Sequence, residues 1–216
     1  MNPPIFLMAA LLGMSVTAMA ATPVQPSNRV LARALDKHLQ QYGNVCLGKF
    51  DWPIDVSAKD IAAGGTDAVQ MPVLEKIGLV VSSAETVSLA GQGQAEQVVS
   101  VQRYALTEAG RHFYLRTEST STASNGAKTL RQNDFCAGKL RLKTLVHWDP
   151  PVRVGAHQET TVSYTYTFEA APWTRNPEIR TVFPMLDRLI KGAGSMELKQ
   201  GLRLTENTWE AVTLWE

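Results

Sequence analysis

The sequence predicts an α+β protein, with a helical and hairpin-forming N-terminal part followed by a C-terminal part rich in antiparallel β-hairpins. Two observations carry this reading. Apolar residues recur at helical spacing between Leu31 and Tyr42, whereas two later stretches, 140–148 and 161–168, alternate apolar and polar side chains with the period of a strand. Composition sets the outer bounds. Hydrophobic residues make up 44% of the 216 positions, and 21 Lys+Arg face 20 Asp+Glu for a formal net charge of +1. These values exclude a disordered chain, collagen, a coiled coil and a disulfide-dense miniprotein. The near-neutral total also argues against a protein that coats nucleic acid.

The N-terminus predicts an address. Fourteen of the first twenty residues are apolar, and Ile5 to Val16 form a hydrophobic run ending in Ala18-Met19-Ala20. This is the pattern of a secretory signal peptide cleaved before Ala21. Good apolar character lasts only about 16 residues, short of the roughly 20 that a membrane span needs. Export, to the periplasm, changes the reading of the two cysteines. Cys46 and Cys136 are the only ones in the chain, and an oxidising compartment favours joining them. Neither lies in a C-x-x-C pattern or at metal-ligand spacing from a histidine. The expected organisation is a signal peptide over 1–20, a first domain over 27–118, a polar tether over 119–130 and a β-rich domain over 131–216.

Each element has its own reason. Ser27 or Asn28 caps a helix over 29–42 that sets Leu31, Leu35, Leu39 and Tyr42 against Arg33, Asp36, Lys37 and Gln40. Gly43-Asn44 ends it. Leu47 to Val56 carries Phe50, Trp52 and Pro53, an aromatic turn expected to lie as a lid on the core. A short helix over 71–77 closes at Gly78, strands follow at 79–81 and 97–104, and Thr107 caps a further helix reaching Leu115. Ser119 to Thr129 is small and polar, hence a loop. Val162, Tyr164, Tyr166 and Phe168 share one face of the clearest strand, and that face is expected to be core. Strands 140–148 and 161–168 pair as a hairpin through 152–158, Trp173 caps the sheet edge, and Thr205 caps a last helix bearing Trp209 and Val212.

Met71-Pro72-Val73-Leu74-Glu75-Lys76-Ile77-Gly78-Leu79-Val80, then a hairpin, then Tyr104-Ala105-Leu106-Thr107-Glu108-Ala109-Gly110-Arg111, resembles the second half of a winged-helix domain. The resemblance implies a winged-helix-like unit over about 29–115. It does not imply DNA reading, because the helix at 71–77 carries only Lys76 as a base and an exported protein meets no genome. Pro184-Met185-Leu186-Asp187-Arg188-Leu189 and Leu202 to Glu206 echo Pro72 to Ile77 and Tyr104 to Glu108, which raises a degenerate internal duplication. As a whole the chain is similar to the small uncharacterised exported families of Gram-negative bacteria.

Catalytic signatures are sparse. His38, His112, His147 and His157 never fall at zinc spacing, and no G-x-S-x-G, P-loop or dinucleotide fingerprint occurs. His147 and His157 are placed to face each other across the hairpin. Asp51 and Asp55 lie in a turn-rich loop, where capping and solvation explain them. No cofactor or metal is expected. Charge is more informative, because residues 101–153 hold 9 basic and 4 acidic side chains while each flank holds 6 and 8. Lys139, Arg141 and Lys143, with Arg103, are the candidate binding residues for an anionic cell-wall or lipid component or an acidic envelope protein. The expected function is a non-catalytic periplasmic binding protein of the cell envelope. The alternative is an envelope hydrolase whose catalytic groups meet only in space.

Overall fold

In the computed structural model, residues 25–89, 97–122 and 128–212 are described. The chain runs α1 (Asn28–Tyr42), β1 (Asn44–Cys46), β2 (Ile54–Ser57), α2 (Ala58–Ala62), α3 (Thr66–Lys76), β3 (Val80–Leu89) and β4 (Gln97–Leu106). It continues through α4 (Glu108–Arg111), β5 (Tyr114–Thr122), β6 (Lys128–Trp148), β7 (Val152–Val154) and β8 (His157–Ala170). A 3-10 turn at Pro172–Arg175, α5 (Pro177–Val182), α6 (Pro184–Gly192), β9 (Glu197–Thr205) and β10 (Thr208–Ala211) complete it.

Two antiparallel sheets dominate. One has the order β1-β6-β8-β9-β10, with β5 paired to β6 and β7 to β8; the other is β2-β4-β3. The larger sheet curls into a half-barrel around α1. The expected fold class is therefore corrected: sheets, not a helical winged-helix-like half followed by hairpins, organise the chain. The reason lies in α1. Its buried stripe of Leu31, Ala34, Leu35 and Leu39 packs on Val162, Tyr164, Tyr166, Leu202 and Trp209 of the C-terminal strands, so the helix is not part of the α3–β3–β4 unit.

The segments that carried the winged-helix resemblance have a local logic of their own. The Thr107 side chain accepts from Gly110 N at the start of α4, and its hydroxyl donates to the Gly78 carbonyl at 2.7 Å. A Cβ on Gly110 would sit 2.0 Å from the Leu79 carbonyl oxygen, so only glycine lets this turn lie against the end of α3. The helix expected to reach Leu115 stops at Arg111, because Tyr114 already enters β5 and pairs with Phe135. The stretch expected to be a tether is strand on both sides: Thr120 pairs with Leu130 and Thr122 with Lys128. Residues 123–127, the loop tip at 90–93 and the expected signal peptide over 1–20 lie outside the described residues.

The duplication is corrected too. After α3 comes a hairpin of two ten-residue strands in the smaller sheet; after α6 comes β9, which pairs with β8 in the larger one. Thr205 caps no helix. It closes a two-residue hairpin turn whose central residues, Glu206 and Asn207, both have positive φ (47° and 67°), and Trp209 lies in β10. Two consecutive positive φ values give the twist that suits a tight hairpin, and Asn accepts that conformation readily.

Two cores result, and each joins residues from the first and second halves of the chain. The first joins Val56, Met71, Leu74, Val80 and Tyr104 to Phe135, Ile179, Phe183 and Leu186. Trp173, expected at a sheet edge, belongs here, with its ring 5.9 Å from Phe113 and 5.7 Å from Phe135. Trp52 packs on Phe135 in the same cluster, in keeping with the expected aromatic lid. The second core is the α1 half-barrel. Val162, Tyr164 and Tyr166 are nearly inaccessible there, as the alternation predicts. A disulfide joins Cys46 and Cys136, which are also register partners across β1 and β6 (S–S 2.09 Å). No described helix is long and apolar enough to cross a membrane.

Candidate binding groove

The predicted cations are distributed by two irregularities in β6. Pairing with β8 shifts between Leu142 and Thr144 and again between Leu145 and His147. Each shift inserts an unpaired residue and breaks the strict alternation of faces. Leu145 thereby joins Leu140, Leu142 and Trp148 against the core, while Val146 is exposed. Lys143 falls at the first irregularity and donates to the Gly194 carbonyl at 3.0 Å. Lys139 donates to the Gln40 carbonyl at 2.5 Å, and Arg141 pairs with Glu169 at 3.0 Å. The three candidates thus each hold a separate internal contact. Arg103 lies on the other sheet, where it grips Asp55 through two hydrogen bonds of 2.7 Å.

The Arg103 hydrogen bonds hold the Asp55 carboxyl below its ordinary value of 3.8. The sign follows directly. A carboxyl whose folded-state pKa is depressed binds its proton less tightly in the native chain, so its contribution is full above the unfolded value and fades as pH falls through the folded one. An NMR titration is expected to place Asp55 below 3.8 in the wild type and to return it toward 3.8 in Arg103→Gln. Coincident titrations would show the pair to be electrostatically idle.

The remaining candidates disperse. His147 is registered opposite Ser163 and sits 3.2 Å from Asp149, while His157 is registered opposite Val154, so the two histidines do not face each other. Asp55 is engaged by Arg103, which removes it from an acid–base pair with Asp51. Among the described residues no group of three or more His, Cys, Asp or Glu side chains is placed to hold a metal ion. Gly192 to Ser195 is a turn that leads from α6 into β9.

A groove of about 610 Å³ instead runs between α1 and β10. Helix α1 is fixed along its length. The Ser27 side chain accepts from Val30 N, Asn28 accepts from the Trp148 indole at 2.8 Å, and the Leu140 amide donates to the Gly43 carbonyl. Gly43 must be small, since a Cβ there would lie 2.7 Å from the Leu140 carbonyl oxygen. With Leu31, Leu35 and Leu39 turned into the half-barrel, the groove side of the helix presents Arg29, Arg33 and Lys37 at i, i+4 and i+8. These three neighbour one another along the helix axis, about 6 Å apart per step.

Arg29 and Arg33 are exposed and make no ion pair among the described residues. Lys37 approaches Glu210 of β10 at 3.9 Å, both largely exposed. Burial pushes the His38 imidazole below its ordinary value, so it is neutral at pH 7 and adds no charge. Val30 and Tyr42, 45% and 40% exposed, put apolar surface beside the cations. Opposite them, β10 is the last strand of its sheet. Sequence reasoning missed this site because it assigned Arg33 and Lys37 to an ordinary solvated helix face and placed Trp209 in a helix. The spacing of 29, 33 and 37 was the available signal. Comparisons of the chain with protein-family models, curated proteins and solved structures find no match.

Proposed function

We propose that the chain is a non-catalytic, exported binding protein of the cell envelope, periplasmic once its signal peptide is removed, and that it docks an acidic envelope component in the α1–β10 groove. The observation that carries this reading is the groove itself: three aligned cations face one carboxylate, beside exposed Val30 and Tyr42. Arg29 and Arg33, which make no ion pair among the described residues, are free to meet a ligand, whereas Lys37 approaches Glu210 and the cations at 103, 139, 141 and 143 already hold contacts within the chain. The Cys46–Cys136 disulfide supports an oxidising compartment.

Poly-L-glutamate is a suitable probe of the electrostatic part. The wild-type chain is expected to bind it at low ionic strength, with affinity falling steeply as salt rises. Arg29→Glu with Arg33→Glu should weaken binding at least tenfold. Arg29 lies in the first turn of α1, where an acidic side chain suits the helix dipole, and Arg33 is exposed, so the fold should tolerate both. Equal binding by this variant, or loss only on reversing Lys139, Arg141 and Lys143, would move the site away from the groove.

A further inference from the structure

Resting on that docking reading, we propose that the occupant of the groove is an extended peptide segment with acidic residues at alternate positions, which adds to the half-barrel as a new strand along the free edge of β10. The edge is defined by the ladder. Among the described residues, strand β10 pairs only with β9, in the register Thr208↔Thr205, Trp209↔Leu204, Glu210↔Arg203 and Ala211↔Leu202. A two-residue hairpin begins with a hydrogen-bonded pair, after which hydrogen-bonded and non-bonded pairs alternate. Val212 N donating to the Gly201 carbonyl at 2.9 Å continues that alternation. The N–H and C=O groups of Trp209 and Ala211 therefore point away from β9, into the open edge, and they are what an incoming strand would pair with.

The flanking helix supplies the selectivity. Successive cations of the Arg29–Arg33–Lys37 row are separated by about 6 Å along the helix axis. Alternate side chains of an extended strand are separated by about 6.7 Å. A strand lying along β10 would present every second residue toward the α1 side of the groove, where the three cations lie, and carboxylates at those positions would meet them. Its intervening residues would lie on the opposite face of the sheet. A second copy of the chain is disfavoured as the occupant. Edge-to-edge pairing of two β10 strands about a two-fold axis would bring two Arg29–Arg33–Lys37 rows to the same seam, where they repel.

The test uses the full mature chain and two synthetic peptides of identical charge. One alternates valine and glutamate; the other has the same sequence with N-methylated amides at the residues that would bond to β10. The first peptide is expected to bind at least tenfold more tightly than the second, and to slow amide hydrogen exchange at Trp209 and Ala211 by at least tenfold. Ala211→Pro should abolish the difference between the peptides. It removes one outward N–H and leaves the ladder to β9 intact, because Ala211 sits at a non-bonded pair. Should both peptides bind equally and in a salt-dependent way, acidic docking would stand and strand addition would be overturned. If neither binds, the docking reading itself fails. Concentration-dependent dimerisation with protection of the same two amides would assign the edge to a second copy and overturn the peptide.

Discussion

Replacing both Cys46 and Cys136 by serine is expected to lower the stability of the chain by about 3–5 kcal/mol, with the folded-state circular dichroism retained. The bridge closes a loop of 90 residues in sequence separation, and chain-entropy arguments give roughly 4–5 kcal/mol for loops of that size, much of it exerted on the unfolded ensemble. Its native-state role is also specific. Strand β1 has only three residues, paired with β6 at Lys139, Gly138 and Cys136, and a strand that short holds its place weakly on hydrogen bonds alone. Cys136 is 1% exposed while Cys46 is only half-buried, so the Cys46 side of the bridge is the one open to reductant. Urea unfolding of the double-serine variant, with thiol labelling of the wild type under native reduction, measures both effects. A loss under about 1 kcal/mol would mean that the remaining contacts of β1 suffice, against the role assigned to the bridge.

Leu35→Ala is expected to destabilise the chain by about 2–5 kcal/mol, the range for a fully buried leucine truncated where its surroundings cannot collapse. Leu35 is 0% exposed in the middle of the stripe that seats α1 in the half-barrel, between Leu31 and Leu39, which are equally inaccessible or nearly so. Val30, one turn away and 45% exposed, is the control: Val30→Ala should change stability by no more than about 0.5 kcal/mol. Chemical denaturation of the two variants gives the comparison. Similar losses would mean that α1 is held by its end contacts, such as Asn28 to Trp148, rather than by burial.

Helix α1 and strand β8 were legible in the sequence because each follows one period without interruption. The 3.6-residue repeat of Leu31, Leu35 and Leu39 and the twofold repeat of Val162, Tyr164 and Tyr166 are found as buried faces. What the repeat of α1 does not encode is its address. An amphipathic stripe fits any apolar surface of suitable shape, and here that surface comes from strands more than a hundred residues away. Strand β6 was half legible, since its two register shifts put Leu145 where strict alternation expected Leu142 and Thr144 to be followed by Val146. The last hairpin was misread because Thr205 suits a helix N-cap and a strand end equally, and only the following Asn207 signals positive φ. The contacts of the candidate cations were hidden for a related reason. Arg141 pairs with a carboxylate 28 residues away, Arg103 with one 48 residues away, and Lys143 donates to a carbonyl 51 residues away. Charge totals along a chain do not reveal partners that only folding brings into contact.

Strand β6 is 21 residues long and belongs to both cores. Phe135 and Ala137 are embedded in the first, while Leu140, Leu142, Leu145 and Trp148 line the second. One continuous backbone thus serves as a common wall, and loosening either side strips partners from the other. The two halves are accordingly a single cooperative unit: neither can be excised as an independent folding piece, and heat or denaturant should dismantle them together.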